Sequence, residues 1–191
     1  LAPEIRFEDP NGGEEPYLDE YGYVQGENGI LDSFYLFAVP EDSDDFYDEE
    51  PTLIIGDKEI HSGEYLDNEG NITDTVPAGG FAYFDGSTLY LKSFSYEGIG
   101  TTLTSLNGET VTIGVYFPGS LSITLIGDNK LTFTSENTVG ITIGDGDLNI
   151  VGSGSLALSA TGKGIDLLGG LFAESAELRV SATGVAIKSE Y

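Results

Sequence analysis

The chain has 191 residues, of which 39% are hydrophobic, so it can bury a core. It carries 33 acidic residues against 7 basic ones, and the resulting net charge of -26 would repel phosphate backbones and anionic lipid head groups. This charge excludes nucleic acid and membrane surfaces as partners. The absence of cysteine, together with a single histidine, excludes disulfides, thiolate metal sites and most familiar catalytic arrangements.

Residues 1–52 form the first predicted segment, which is acidic and irregular. Sixteen carboxylates lie within residues 1–50, where Arg6 is the only base. Turn-forming residues and acids bracket short aromatic runs there, a composition that predicts loops with one or two strands. We expect this segment to act as an N-terminal cap on a second domain, residues 53–191.

Short β-type runs follow from Leu53 onward. LIIG, FAYF and LYLKSF are separated by the turn-like stretches HSGE, DNEGN, PAGG and DGS. This alternation predicts short strands joined by turns, without helical periodicity.

The second half of the chain contains an internal repeat. Apolar-x-apolar triplets recur about every 7 to 10 residues and group in threes. Gly114, Gly140, Gly164 and Gly184 each precede the last triplet of a group, at spacings of 26, 24 and 20 residues. The sequence therefore predicts an all-β fold, a right-handed parallel β-helix of about four coils with three short strands per coil. An antiparallel sandwich or barrel is the alternative, but it predicts no register between every third strand.

The middle residue of each triplet should point outward and align with its equivalents in neighbouring coils. This rule predicts three outward rows, which are Tyr116–Thr142–Asp166–Ala186, Ser122–Asn149–Phe172 and Thr132–Ala157–Arg179. The last coil should expose unpaired strand edges, through which the protein could self-associate.

The order of these motifs resembles a known family. LIIGDKEIHSGEYLDNEGNI, FDGSTLYLKSFSYEGIG, LSITLIGDNKLTF and GITIGDGDLNIVGSGSLALSATGKGIDL follow one another as in the β-helical carbohydrate-binding domain-containing cell-surface proteins of gut anaerobic bacteria. The resemblance covers roughly residues 53–191 and includes the Gly-x-x-x-Ile motif from Gly56 to Ile60. It implies a non-catalytic, extracellular or cell-surface module that binds glycan or adheres to a host or bacterial surface. A structural spacer and a polysaccharide-active enzyme are the alternatives.

Sugar binding usually needs exposed aromatic faces beside hydrogen-bonding groups. Tyr90 and Tyr116 fall at outward positions, Tyr96 lies near the next corner, and Asp166 shares the row of Tyr116. These four residues are the predicted ligand-binding residues. Each of the tyrosines could instead be an ordinary half-buried strand residue.

Two acidic stretches are candidates for binding calcium, and no other cofactor is expected. The first is EDSDDFYDEE, with Asp42, Asp44, Asp45 and Asp48, although its spacing departs from the EF-hand pattern. The second is the GDGD corner, with Asp145 and Asp147, where aspartate also caps turns. Asp145, Asp147 and Asp166 are the only acids of the repeats that could form a hydrolytic pair, so we expect no enzyme and name no catalytic residue.

The sequence also bears on where the protein acts. No apolar run approaches the length of a membrane-spanning helix, and no leader or anchor is recognisable in this chain. The acidic, cysteine-free, glycine-rich composition is typical of exported bacterial surface proteins. We therefore expect an extracellular or cell-surface location.

Overall fold

The computed structural model describes residues 52–104 and 110–189, and before them only the backbones of five short strands. The chain divides into two compact units, Leu1–Asp48 and Glu49–Tyr191. In the first unit, two strands pair antiparallel and three form a small antiparallel sheet. These strands are β1 (Glu4–Glu8) with β5 (Tyr35–Val39), and β2 (Tyr17–Leu18), β3 (Val24–Gly26) and β4 (Gly29–Ile30).

The regular secondary structure described in the second unit consists of β-strands alone. In chain order they are β6 (Leu53–Ile55), β7 (Lys58–Ile60), β8 (Tyr65–Asp67), β9 (Ile72–Thr73), β10 (Phe81–Phe84), β11 (Thr88–Lys92), β12 (Ser95–Gly98), β13 (Thr101–Thr104), β14 (Thr110–Phe117), β15 (Leu121–Ile126), β16 (Asp128–Phe133), β17 (Val139–Ile143), β18 (Leu148–Gly152), β19 (Ser155–Ala160), β20 (Ile165–Asp166), β21 (Leu171–Glu174), β22 (Glu177–Ala182) and β23 (Ile187–Lys188). The described part of the chain contains no helix that could cross a membrane.

These strands form three sheets. Sheet I has the order β21-β18-β15-β11-β10-β8-β9, sheet II the order β12-β16-β19-β22, and sheet III the order β23-β20-β17-β14-β6-β7 with β13 beside β14. From β14 onward, successive strands join sheets III, I and II in turn, and each pairs in parallel with the strand three positions later. The predictions of an all-β fold and of parallel strand pairing are therefore confirmed.

The start of the second unit is antiparallel, which the repeat did not predict. The β6–β7 hairpin adds to β14 in sheet III, and β8, β9 and β10 extend sheet I beyond β11. Both sheets are therefore mixed, with the antiparallel strands at one end of each.

The core lies between the sheets and is built from the alternation of side chains along each strand. In β18, Leu148 and Ile150 are fully buried, whereas Asn149 between them is half-buried. Equivalent residues stack on one another, so Leu121, Leu148 and Leu171 lie in one line across three strands. Each fully buried leucine or isoleucine stabilises the fold by about 1.5–3 kcal/mol.

The pairing confirms one predicted outward row and corrects two. Ser122, Asn149 and Phe172 are in register. In sheet II, however, Thr132 lies opposite Ser159, and Ala157 lies between Lys130 and Arg179.

The correction in sheet II has a physical cause in Asn129, which is buried at 3% exposure. Asn129 stands in line with Leu156 and Leu178, so a polar residue occupies an inward position and an apolar triplet cannot begin there. Its Nδ2 donates to the carbonyls of Gly127 and Ser155 at 3.1 Å each, and its Oδ1 accepts from the Phe94 N–H at 2.9 Å. These bonds satisfy the amide in the core.

The second correction concerns sheet III. Tyr116 and Thr142 are in register, as predicted. The residue that pairs with Asp166 in the next strand, however, is Lys188 and not the predicted Ala186. Ile165 pairs with Ile187, so the last repeat is two residues longer than the glycine alignment predicted.

Candidate functional site

The candidate functional site lies on the outer surface of sheet I. Because side chains alternate, Leu89 and Leu91 of β11 are buried while Thr88, Tyr90 and Lys92 point outward. Register across the strands then produces three outward rows. They are Thr73–Tyr65–Tyr83–Tyr90–Thr124–Val151–Glu174, Asp67–Phe81–Lys92–Ile126 and Thr88–Ser122–Asn149–Phe172.

Four of these residues form an aromatic cluster, Phe81, Tyr65, Tyr83 and Tyr90. The ring centroids of Tyr65 and Tyr83 are 4.5 Å apart with an interplanar angle of 30°, and those of Tyr83 and Tyr90 are 5.8 Å apart at 37°. Phe81 meets Tyr65 edge-on at 5.2 Å, and the Lys92 ammonium lies 5.6 Å from the Phe81 ring centroid. Such pairs add about 0.5–1.5 kcal/mol each beyond the burial of area. The cluster is therefore a preorganised surface feature.

The stacking within the cluster decides which ring face a ligand could use. Tyr83 lies between Tyr65 and Tyr90, so neighbouring rings cover its faces. Tyr90 has Tyr83 on one side and the small Thr124 of β15 on the other. On the β15 side, the face of the Tyr90 ring is thus bordered by a small side chain. Among the ring faces of the three tyrosines in the cluster, this face is the best placed to stack on a flat ligand.

The Asp85 carboxylate lies close enough to the Tyr90 hydroxyl to affect its pKa. Burial acts to raise the pKa of Asp85, but bonds from the Thr88 N–H at 2.7 Å and from the Ser87 N–H and hydroxyl at 3.0 and 3.1 Å outweigh it and lower that pKa. The hydrogen bond to Asp85 and its negative charge raise the pKa of the Tyr90 hydroxyl. The lowered pKa leaves Asp85 ionised beside Tyr90 at neutral pH.

Beyond Tyr90 the outer surface of sheet I becomes an open floor of small or short side chains, which are Ser122, Thr124, Asn149 and Val151. Phe172 on β21 lies in the row of Asn149 and is 56% exposed. With about 4.8 Å between strands, the distance from β11 to β21 is roughly 14 Å. The floor can therefore hold a flat ligand of a few rings, with Tyr90 at one side and Phe172 at the other.

The structure does not bring the predicted ligand-binding residues together. Tyr116 is half-buried on the outer side of sheet III, away from Tyr90 on sheet I. Asp166 shares the row of Tyr116, as predicted, but it is bonded to the Lys163 ammonium and lies 3.9 Å from that of Lys188. Its carboxylate already has partners within the protein.

Tyr96 lies in the core instead of on the surface. It is 8% exposed, its ring is tilted against Phe133 at 5.8 Å, and its hydroxyl donates to Asp57 Oδ1 at 2.9 Å. Burial is the main cause of its raised pKa. Tyr96 lines a groove of about 310 Å³ together with Asp57, Asn68 and Glu97. The faces of the Tyr96 ring are nevertheless buried, so they are not available for stacking on a ligand.

The proposed calcium ligands divide between the two units. Asp42, Asp44, Asp45 and Asp48 lie outside the described residues. Asp145 is exposed, and Asp147 Oδ1 accepts the Gly170 N–H of the neighbouring turn at 2.7 Å, which is a turn-capping role. Within the described ranges, no three histidine, cysteine or acidic residues are placed to hold a metal ion.

Sequence reasoning missed Phe81, Tyr65 and Tyr83. The sequence repeat belongs to the parallel strands, whereas these residues lie on the antiparallel strands β8 and β10. The available signal was the alternation in FAYF and TLYLK, which places Tyr83 and Tyr90 at outward positions of consecutive strands.

Comparison with protein-family models, curated proteins and solved structures finds no match for this chain. The resemblance to the carbohydrate-binding surface proteins therefore remains an expectation from the sequence. Sheet I and its aromatic cluster are the structural basis for a functional proposal.

Proposed function

We propose that the second unit is a right-handed parallel β-helix that serves as a non-catalytic glycan-binding module at a bacterial cell surface. The rotation of successive strands through three sheets, with parallel pairing, supports this architecture. A right-handed path is favoured because crossovers between parallel strands are almost always right-handed. The family resemblance of residues 53–191 supports the extracellular location.

The observation that carries the glycan proposal is the aromatic cluster beside the open floor of sheet I. Sugar rings present apolar faces that pack on aromatic rings, and hydroxyls that bond to nearby polar groups. Tyr90 offers a ring packed against Tyr83 on one side, while Ser122, Thr124 and Asn149 offer hydroxyl and amide groups. An extended glycan lying across β15 and β18 would reach Phe172.

Charge favours a neutral glycan. Lys92 is the single cation in the three described outward rows of sheet I, which also contain Asp67 and Glu174. The chain as a whole carries a net charge of -26. A polymer of uronic acids would be repelled by this field, whereas a neutral polysaccharide would not.

A glycan array followed by calorimetry on neutral and uronate oligosaccharides, with and without calcium, tests the proposal. We expect saturable binding to neutral glycans that Tyr90→Ala weakens about tenfold, as the loss of one stacked ring implies. Tyr116→Ala is the matched control, because Tyr116 is also half-buried and outward but lies on sheet III.

Two outcomes would contradict the proposal. Absence of binding to every glycan tested would favour the structural-spacer alternative. Equal loss of binding in Tyr90→Ala and Tyr116→Ala would show that sheet I is not the binding surface.

A further inference from the structure

The end of the second unit formed by β21, β22 and β23 is uncovered within the described part of the chain. These three strands are the last members of sheets I, II and III, and no other described strand pairs with their outer edges. The outer edges of β21 and β22 present N–H and C=O groups that can pair with another strand.

The apolar core is also open at this end. Leu148, Ile150 and Leu156, one repeat earlier, are 0% exposed. The following members of the same stacks, Leu171 and Leu178, are only partly buried, as is Val180. We call these three side chains, with the outer edges of β21 and β22, the end face.

The end face lies in an electrically balanced stretch of a strongly acidic chain. Residues 163–189 contain three bases and three acids, which are Lys163, Arg179, Lys188, Asp166, Glu174 and Glu177. The whole net charge of -26 therefore lies in the other residues. Because this stretch is neutral, it adds little charge repulsion of its own when two copies meet through it.

We propose that the end face binds the end face of a second copy, giving an end-to-end dimer. In a two-fold dimer each surface must complement itself. Antiparallel pairing of β22 with its copy around Leu178 places Glu177 opposite Arg179 of the second copy, and Arg179 opposite its Glu177. Within one chain Arg179 Nη2 and Glu177 Oε1 form an exposed ion pair at 2.6 Å, with the two side chains 75% and 58% exposed, so the pair can exchange partners with the second copy. The pairing extends sheet II across the two copies and covers Leu178 and Val180.

Sedimentation equilibrium of the full chain over a concentration series tests this proposal. We expect a concentration-dependent dimer whose dissociation constant rises about tenfold in Arg179→Glu, because two attractive contacts become repulsive. Lys130→Glu is the matched control, since Lys130 lies in the same outward row two strands away and changes the net charge equally. It should leave the dissociation constant nearly unchanged.

A charge exchange provides an independent readout. The double variant Glu177→Arg with Arg179→Glu restores the opposite-charge contacts and should recover the dimer. A chain that stays monomeric at its highest soluble concentration overturns the proposal. Equal weakening by Arg179→Glu and Lys130→Glu, or no recovery in the double variant, overturns it as well.

Discussion

Replacing Asn129 with alanine should remove a polar link between three segments of the core. The Asn129 side chain bonds to the Phe94 N–H, the Gly127 carbonyl and the Ser155 carbonyl. Phe94 is fully buried, and its N–H donates to Asn129 Oδ1 at 2.9 Å. Alanine would leave all three backbone groups without this partner.

The magnitude follows from these contacts. An unsatisfied buried donor costs about 1–3 kcal/mol, and each lost bond to a carbonyl costs about 1 kcal/mol. We therefore expect Asn129→Ala to lower the free energy of unfolding by about 3–5 kcal/mol. Asn129→Leu should cost less, because leucine fills the same stack as Leu156 and Leu178, but it still leaves the Phe94 N–H unpaired.

Urea denaturation followed by far-ultraviolet circular dichroism measures these differences. Asn149→Ala is the control, because Asn149 is an asparagine on the outer side of sheet I, and it should change the free energy of unfolding by about 0.5 kcal/mol or less. A free energy of unfolding for Asn129→Ala within that range of the wild type would refute the structural role of Asn129. A larger loss in Asn129→Leu than in Asn129→Ala would refute the assignment of its position to the apolar stack.

Two further predictions concern backbone geometry and pH. Gly152 has a φ of +112°, and an added Cβ would lie 2.4 Å from the Leu125 carbonyl oxygen, so Gly152→Ala should lower the unfolding free energy by about 2–3 kcal/mol. Gly119→Ala, whose Cβ would meet nothing closer than 3.8 Å, should stay within about 0.5 kcal/mol of the wild type in the same urea assay. The hydrogen bond from Tyr96 is the main cause of the lowered pKa of Asp57, so this carboxylate contributes stability above its ordinary pKa of 3.8 that is lost as pH falls through its folded pKa. When the pH falls from neutral to below 3.8, the free energy of unfolding should therefore decrease less in Tyr96→Phe than in the wild type. Urea denaturation at a series of pH values measures this difference. An equal decrease in both proteins would contradict the role of Tyr96 in lowering the pKa of Asp57.

The outward row Ser122–Asn149–Phe172 illustrates what sequence could predict. Its three residues sit at the centre of apolar-x-apolar triplets, and alternation alone requires that the flanking residues face the core. The row in sheet II was misaligned because Asn129 holds an inward position that only its hydrogen bonds to the backbone make acceptable. Pattern reading cannot distinguish a buried, satisfied asparagine from an exposed one.

The tyrosines show the same limit at the candidate site. Alternation correctly placed Tyr90 outward, but Tyr96 is buried against Phe133, where Asp57 satisfies its hydroxyl. Tyr65 and Tyr83 join Tyr90 because β8 and β10 pair antiparallel beside β11.

The sequence by itself determined the all-β fold, the parallel repeat and the acidic character of the chain, because these depend on local alternation, spacing and composition. The tertiary structure alone decided which strands became neighbours at the start of sheet I and which polar groups found partners in the core. Those outcomes depend on contacts between residues far apart in the chain, such as Asp57 with Tyr96 and Phe94 with Asn129. The aromatic cluster is a product of that long-range pairing.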